Sequence, residues 1–568
     1  MSGRGRDERG DFQPLWFEGE IPERSYRSLF KWGDPKAYKH PNKGLYRLMK
    51  ETFDLTDEHF KRTPDFGLDE VTGEYPPKLP RRHIEAFREI LGPKNTSEDT
   101  YDRLSVAYGK TMIDIFRLRN KVAENLPDLV LYPRNKEDVK TIVEYCAKHS
   151  IPVYVYGGGS SVTRGAEPVK GGVSLDTRRH FCKVLGISEE NQTITVEPGI
   201  MGPALEDALN RARELYGARH DYTCGNFPQS FEYSAVGGWV VTRGAGQNST
   251  YYGKIEDLVL CQEHVTPRGT ITTGPFPRQA TGPDIDQIMI GSEGAYGVLV
   301  SVTLKIYRHM PRNTRRFSYM FKSFEDGVRA VREIMQSENG YPSVCRLSDP
   351  EETDVALKLY GVDSPAVDTP LSLLGMKRGK RCLFLGSADG GRRYTRMVGA
   401  NVRRICRRHG GFPLSGYVTR RWEHGRFRDP YLREDLQDYG IVIDTLGCAV
   451  NWENLHHVHR HVREYIKGRE NTICMTHMSH CYPQGTNLYF IFINMFENAE
   501  DFSSFHAGVL EAIHNSGAAL SHHHGIGKLF APWLERNIGP EPYAVFRALK
   551  EHFDPDNIMN PGGTLGFD

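Results

Sequence analysis

Ser521-His-His-His-Gly-Ile-Gly-Lys528 sets three imidazoles side by side, behind a short β-like run, Ala518–Leu520, and ahead of two glycines that let a substrate approach. Three adjacent histidines on a loop cannot all point into a core, and near neutral pH imidazoles move protons, form hydrogen bonds and bind metals. Neighbouring side chains point different ways, so His522, His523 and His524 are poorly placed to share one ion without a remote ligand. The run Cys474-Met-Thr-His-Met-Ser-His-Cys481 holds soft ligands at close spacing, yet it fits no regular structural zinc pattern. No metal is expected.

A second stretch with chemical potential is Tyr156-Gly-Gly-Gly-Ser-Ser-Val-Thr-Arg-Gly165, which follows the β-like run Pro152-Val-Tyr-Val155. Consecutive glycines let backbone N–H groups approach an anion, and Ser160 and Ser161 add donors, as a pyrophosphate cradle requires. A lone Gly-rich turn is usually just a turn. Two further segments supply weight: Pro228-Gln-Ser-Phe-Glu-Tyr-Ser-Ala-Val-Gly-Gly-Trp-Val-Val-Thr-Arg-Gly-Ala-Gly246, and Gly291-Ser-Glu-Gly-Ala-Tyr-Gly-Val-Leu299. Three such loops can surround a long ligand with a pyrophosphate and two ring systems. There is no GxGxxG opening a long helix and no acidic residue about 20 positions on for a ribose, so nicotinamide binding is disfavoured.

The elements that must position these loops read as α+β. Asn135 is an N-cap with Asp138 at the third helical position, and Val139, Ile142, Val143, Cys146 and Ala147 recur on one helical face. A strand at Val153–Tyr156 follows, then strands at Gly172–Leu175 and Thr193–Glu197, a helix at Gly202–Glu214 and a strand at Val300–Tyr307. Upstream, Thr52–Arg62 and His83–Ile90 read as short helices, and Trp16, Phe17, Phe30 and Trp32 as core anchors. Beyond residue 310 a second α+β region begins, with an amphipathic helix at Phe324–Met335 and a strand at Cys382–Leu385. A helix capped by Asp501 and stopped by Gly517 leads to the histidines. From Lys377 to Arg433 basic residues are dense, and Lys377, Arg378, Lys380, Arg381, Arg392, Arg393, Arg403, Arg404, Arg407 and Arg408 among them read as either a solvated helical face or a membrane-surface or anionic-substrate patch.

Bulk properties fit an enzyme or small-ligand binder. At 568 residues the chain is long enough for about three to four domains or subdomains. A net charge of +1 gives no general reason to expect nucleic acid. Ten cysteines are scattered without a CxxC pair, which suits a reducing compartment. The polar start, Met1–Asp11, is no secretory signal, no apolar run approaches the about 18 residues of a membrane span, and Leu565-Gly-Phe-Asp568 is no peroxisomal tripeptide. A cytoplasmic protein is expected.

The three loops resemble the flavin-binding domain of the vanillyl-alcohol oxidase/p-cresol methylhydroxylase superfamily. That resemblance implies an FAD-binding PCMH-type domain of two subdomains plus an α+β substrate or cap domain, with an N-terminal extension over 1–124, the FAD domain over 125–310, the cap over 311–520, and a helical segment over 521–568 that returns to the FAD domain. By the same likeness FAD is lined by Tyr156, Gly157, Gly158, Gly159, Ser160, Ser161 and Val162; by Gln229, Ser230, Phe231, Glu232, Tyr233, Ser234 and Ala235; by Thr242, Arg243, Gly244 and Ala245; and by Glu293, Gly294, Ala295, Tyr296, Gly297, Val298 and Leu299. Covalent members often carry a histidine where Ser160 stands, so a non-covalent flavin is expected.

Within the superfamily two branches compete. The D-lactate/glycolate dehydrogenase branch carries two metal-binding histidines and a glutamate; here the corresponding positions are Tyr482, Tyr489 and His523, so its ligands are missing. The same departures resemble the alkylglycerone-phosphate synthase family, through Ser521–Leu529, the loop Glu232–Arg243, and Thr281-Gly-Pro-Asp-Ile285 followed by Gly291-Ser-Glu-Gly294. The likeness runs from about 125 to 560; Asp554–Gly562 looks more like the hydroxyacid branch. The resemblance implies exchange of the acyl group of acyl dihydroxyacetone phosphate for a fatty alcohol, without net redox change, through a bond from flavin N5 to the carbon beside the ketone. It gives Tyr482 the acid/base role, His522–His524 the tasks of stabilising its phenolate and polarising the ketone, and Arg346 and Arg428 the anions. It also implies a homodimer on a membrane surface. The alternatives are a flavin-linked 2-hydroxyacid dehydrogenase and a flavoprotein kept for binding.

Overall fold

The computed structural model describes residues 12–568, so Met1–Asp11 and the reading of them as no signal lie outside the described residues. Two compact units are present: one holds the chain up to Glu70 and Thr314–Ala518, the other Val71–Asn313 and Ala519–Asp568. The stretch 1–124 expected as one extension is thus divided at Glu70/Val71. Each unit is described by itself.

In the unit built from Val71–Asn313 and Ala519–Asp568, Leu129–Leu131 and Val153–Tyr156 lie parallel on either side of Val173–Asp176, and Thr96–Ser97 adds an antiparallel edge. The crossover helix Lys136–His149 forms as its caps dictate. Asn135 accepts from the Asp138 N–H at 3.0 Å, Glu137 and Asp138 face the positive helix end, and Ser150 closes it in a left-handed conformation. Its Val139, Ile142, Val143 and Cys146 are buried against the sheet with Leu129, Val153 and Val173. The chain leaves Val153–Tyr156 at its carboxyl end directly into the glycine loop, the end of a parallel strand where ligands sit. A second, antiparallel sheet has the order Val184–Ser188, Thr193–Val196, Val298–Lys305, Val259–Thr266, Gly269–Thr272. The chain's end returns here: Val153 donates to Ile558 O and Asn560 donates to Val153 O, each at 2.8 Å.

The other unit is organised on one seven-stranded antiparallel sheet, in the order Phe412–Leu414, Arg315–Phe321, Cys382–Ala388, Val344–Ser348, Ile473–Ser479, Gly485–Met495, Ile441–Asn451. The N-terminal helix Lys43–Thr52 packs Leu45, Tyr46 and Met49 into the cluster that holds Leu436, Tyr439, Ile441 and Ile493. Arg27, fully buried, is clamped to Asp438 at 3.2 Å, and Lys31 to Glu434 at 2.6 Å. Phe17, Phe30 and Trp32 are buried as expected, and Trp16 stands edge-on to Tyr439.

Several elements differ from their sequence reading. Thr52 ends a helix instead of starting one, because Asp54 turns left-handed (φ 50°) before the short helix Asp57–Lys61. Gly202–Glu214 breaks at Arg211 into Gly202–Asn210 and Ala212–Tyr216. The helix expected to start at Asp501 starts at Ala499, where Asn498 accepts from the N–H groups of Glu500 and Asp501, both at 2.9 Å; Asp501 instead pairs with Arg469 at 2.7 Å. Ala518–Leu520 is not a strand and carries a single bridge position.

Candidate active site

The glycine loops meet. A Cβ on Gly158 would lie 2.1 Å from Tyr233 O, so only glycine lets Tyr156–Gly165 pack on Gln229–Ala235. On its other side the Lys110 N–H donates to Ser161 O at 2.7 Å. The third loop joins through backbone, with the Glu293 N–H donating to Val241 O at 2.9 Å and the Gly291 N–H to Val240 O at 3.2 Å. The histidine loop then closes over them. Lys528 and Leu529 donate their N–H groups to Thr163 O at 3.1 and 3.0 Å, and Lys254 Nζ reaches His522 O at 2.9 Å.

Glu293 is the pin of this assembly. Its backbone is left-handed (φ 50°), and its two carboxylate oxygens accept the N–H groups of Ile526 at 2.6 Å and Gly527 at 2.7 Å. Burial pushes its pKa up to about 7, against those two donors and Lys528, whose own value burial lowers to about 7. Asn560 completes the joint, donating through Nδ2 to Gly165 O at 2.8 Å and Glu293 O at 2.7 Å while accepting from Lys528 Nζ at 2.9 Å.

Several residues read as flavin-lining turn their side chains into the protein. Tyr156 is buried with its hydroxyl on Tyr108 O at 3.2 Å, Tyr296 packs on Phe553 and Phe567, Val298 and Leu299 are buried in a strand, and Arg243 holds Ile290 O at 3.2 Å. Ser234 accepts the Trp239 indole N–H at 2.7 Å. What these positions offer a ligand is backbone.

The unit fits FAD. Gly238 follows the buried Gly237 and precedes the buried Trp239, yet a Cβ there would meet nothing within 4 Å. Among the described residues, buried side-chain atoms without a hydrogen-bond partner include both amide atoms of Asn226, Gln247 Oε1, Ser249 Oγ and Ser292 Oγ. Such donors and acceptors, in a unit with open space beside a helix, suit a ligand bearing phosphates, hydroxyls and a ring amide. Asn226 and Gln247 went unread in the sequence because an amide carries no spacing signal.

The three histidines have distinct protonation limits. Burial lowers His524 to about 4, so its imidazole is neutral at physiological pH. His522 Nδ1 and His523 Nδ1 are 2.9 Å apart, so one must donate to the other's lone pair. The pair therefore carries at most one positive charge.

The other unit holds Tyr482, Arg346 and Arg428. Tyr482 sits in the turn between Ile473–Ser479 and Gly485–Met495, its N–H on Gly485 O at 2.8 Å and its carbonyl accepting from the Trp452 indole at 3.2 Å. Arg346 lies in a closed ring of three: Nη2 donates to Glu352 Oε1 at 2.5 Å, Nη1 meets His477 Nε2 at 3.1 Å, and His477 Nδ1 meets Glu352 Oε2 at 3.0 Å. Because guanidinium only donates, His477 Nε2 must be the acceptor, and its proton sits on Nδ1. Asp349 caps the helix that carries Glu352, accepting its N–H at 2.8 Å. The sequence gives no signal for Glu352 and shows His477 only within the run Cys474–Cys481, since the two stand 125 residues apart. Arg428 is exposed; the arginine that shares the Trp422 ring with Arg346 is Arg426, at 5.9 and 5.7 Å.

Comparison with known proteins agrees with this geometry. A family model described as an FAD binding domain matches residues 127–274, and one described as the C-terminal domain of FAD linked oxidases matches 310–564. Fold and loops thus define a FAD-dependent enzyme of the FAD-linked class, with FAD as its cofactor. An alkyldihydroxyacetonephosphate synthase from Caenorhabditis elegans is 30% identical over 490 residues, covering 82% of this chain and 80% of its own. One from Dictyostelium discoideum is 28% identical over 574 residues, covering 93% and 92%. A solved alkyldihydroxyacetonephosphate synthase structure matches at a TM-score of 0.79 and 26% identity, covering 94% of this chain and 99% of that one. The chain belongs to the alkyldihydroxyacetonephosphate synthase family.

Two outcomes are expected. Ser160 offers no imidazole to bond a flavin, so acid precipitation of the yellow protein should leave the colour in the supernatant; colour in the pellet would refute a non-covalent flavin. For Glu352, burial raises the carboxyl, but His477 and Arg346 outweigh it and hold it at about 2, below its ordinary 4.5. A depressed carboxyl stabilises the fold above about 4.5, and that stabilisation, roughly 3 kcal/mol, is lost as pH falls toward 2. Thermal unfolding followed into acid should show this loss in the native chain, and Glu352→Gln should be less stable at neutral pH and lack that portion of the acid dependence.

Proposed function

We propose that the chain exchanges the acyl group of acyl dihydroxyacetone phosphate for a fatty alcohol, the overall reaction leaving the flavin oxidised. The observation that carries this reading is the histidine loop Ser521–Leu529, held against the flavin-lining loops by Glu293 in a chain whose relatives bear the synthase name. Bound FAD supplies an electron sink for the carbon beside the ketone. Tyr482 takes the proton from that carbon and returns it. His524, neutral because it is buried, polarises the ketone by hydrogen bonding, and any positive charge of the loop rests on His522 or His523. Arg346, aimed by Glu352 and His477, receives an anionic group of the substrate. Of the two later arginines Arg426 suits the same anion better than Arg428, since it shares Trp422 with Arg346.

The test is an exchange assay with the flavin-loaded protein, acyl dihydroxyacetone phosphate and a long-chain alcohol. Release of fatty acid matched by ether product is expected, and Tyr482→Phe should lower the rate by about 10²-fold or more while leaving flavin content unchanged. Absence of fatty-acid release, with anaerobic bleaching of the flavin by a 2-hydroxyacid, would assign the chain to hydroxyacid oxidation instead. Arg426→Ala should raise KM for the ketone phosphate by about 10-fold or more, and Arg428→Ala should leave it near the native value. The reverse order would restore Arg428 as the anion partner.

A further inference from the structure

One buried amide in the seven-stranded sheet is only half used. Asn487 lies in Gly485–Met495, the strand that follows the Tyr482 turn, and is fully buried. Its Nδ2 donates to Ser479 Oγ at 3.3 Å, and Ser479 Oγ in turn lies 2.8 Å from His480 Nδ1. That contact turns Oδ1 the other way, where among the described residues it has no hydrogen-bond partner. A buried carbonyl oxygen in this state costs free energy that a donor would recover.

The surroundings keep room for that donor. In the strand register Asn487 stands between Ser479 and Ala449, and the next row on the same face holds His477, Tyr489 and Gly447. A Cβ on Gly447 would lie 3.2 Å from Asn487 Oδ1 and 2.9 Å from Tyr489 Cδ2, so both side chains lean over a position that only glycine leaves open. Thr445, Ala449 and Tyr489 on this face keep partial exposure, whereas Cys448, Leu488 and Phe490, which point to the other face, are buried. The sheet therefore presents a recess of small residues beside an unused acceptor, on the face where His477 meets Arg346.

We infer that Asn487 Oδ1 holds the hydroxyl of the incoming fatty alcohol. The inference rests on the acyl-exchange reading above and assigns one residue within it. Acyl dihydroxyacetone phosphate offers an ester, a ketone and an ionised phosphate, all of which accept hydrogen bonds; the donor between the two substrates is the alcohol O–H. A buried acceptor without a donor thus selects the alcohol, and Tyr489 and Ile491, next along the same face and partly exposed, flank the start of its chain. Over the exchange the bond from the dihydroxyacetone carbon to the carboxylate breaks, that carbon bonds to the alcohol oxygen, and the hydroxyl proton leaves with the released acid. A neutral amide can hold that proton in a hydrogen bond and cannot keep it. Asn487 therefore orients the alcohol, turning an oxygen lone pair toward the carbon, and is not its base.

The experiment separates the two halves of the exchange in the purified, flavin-loaded full chain. Because the first half is reversible, labelled fatty acid enters acyl dihydroxyacetone phosphate with no alcohol present, whereas ether formation needs the alcohol. Asn487→Leu, which keeps the size and removes the acceptor, should raise KM for the alcohol about 10-fold while label exchange and KM for the ketone phosphate stay near the native values. Asn487→Asp, which keeps an acceptor, should hold the alcohol KM within about threefold of native. Flavin absorbance and thermal midpoint should match the native chain in both variants, and if Asn487→Leu does not fold, Asn487→Ala carries the same expectation. A native alcohol KM in the folded variant, or a loss of label exchange equal to the loss of ether formation, would overturn the assignment. A native chain that exchanges no label would overturn the acyl-exchange reading itself, and the assignment would fall with it.

Discussion

Glu293 is the constraint on which the candidate site depends. Its carboxylate lies within one loop and accepts two backbone N–H groups of another, with 233 and 234 residues of chain between donor and acceptor. A carboxylate is a good choice for such a joint, because each oxygen accepts independently and an amide would turn a donor toward one of the two N–H groups. Its cost is desolvation, visible in the upward displacement of its pKa, and the two backbone N–H groups and the nearby Lys528 offset part of that cost. The left-handed backbone at Glu293 is stored strain held by the same contacts. The loop's geometry and the histidines' placement are therefore one structural decision.

Much of the FAD unit was legible in the sequence because its signals are local. Asn135 and Asp138 announce a helix start, Val153–Tyr156 alternates as a strand, and consecutive glycines mark backbone approach. The failures are equally physical. Asp501 was read as a cap by residue type, but Asn498, three positions earlier, can reach two N–H groups and wins. The joint made by the Glu293 carboxylate with Ile526 and Gly527 is a contact no window of sequence contains. The partnership of Glu352 with His477 was invisible for the same reason: only the pairing of Val344–Ser348 with Ile473–Ser479 brings them together.

Charge placement separates the histidine loop from a simple cationic site. Three histidines suggest up to three positive charges, but burial of His524 and the Nδ1 contact between His522 and His523 limit the loop to one. Arg346 is similarly balanced, since Glu352 pairs with it and His477 Nε2 accepts a hydrogen bond from it. Such groups are aimed more than they are charged, and aim is what a hydrogen bond to a developing charge demands. The exposed arginines of the helix Arg392–Arg408 show the opposite arrangement, with charge in excess and geometry unspecific.

The order of the chain has a consequence for how the protein is made. Val153 waits for Met559 to pair with it, and the loop pinned by Glu293 waits for Ile526 and Gly527. Synthesis runs through the whole of Thr314–Ala518 between those partners. During synthesis the sheet edge and histidine loop of the flavin unit therefore close only once Ala519–Asp568 is made, while the seven-stranded sheet already has every strand it needs. Cofactor capture in the finished geometry is a late event in biogenesis, and Val153 stands unpaired on its sheet edge until then.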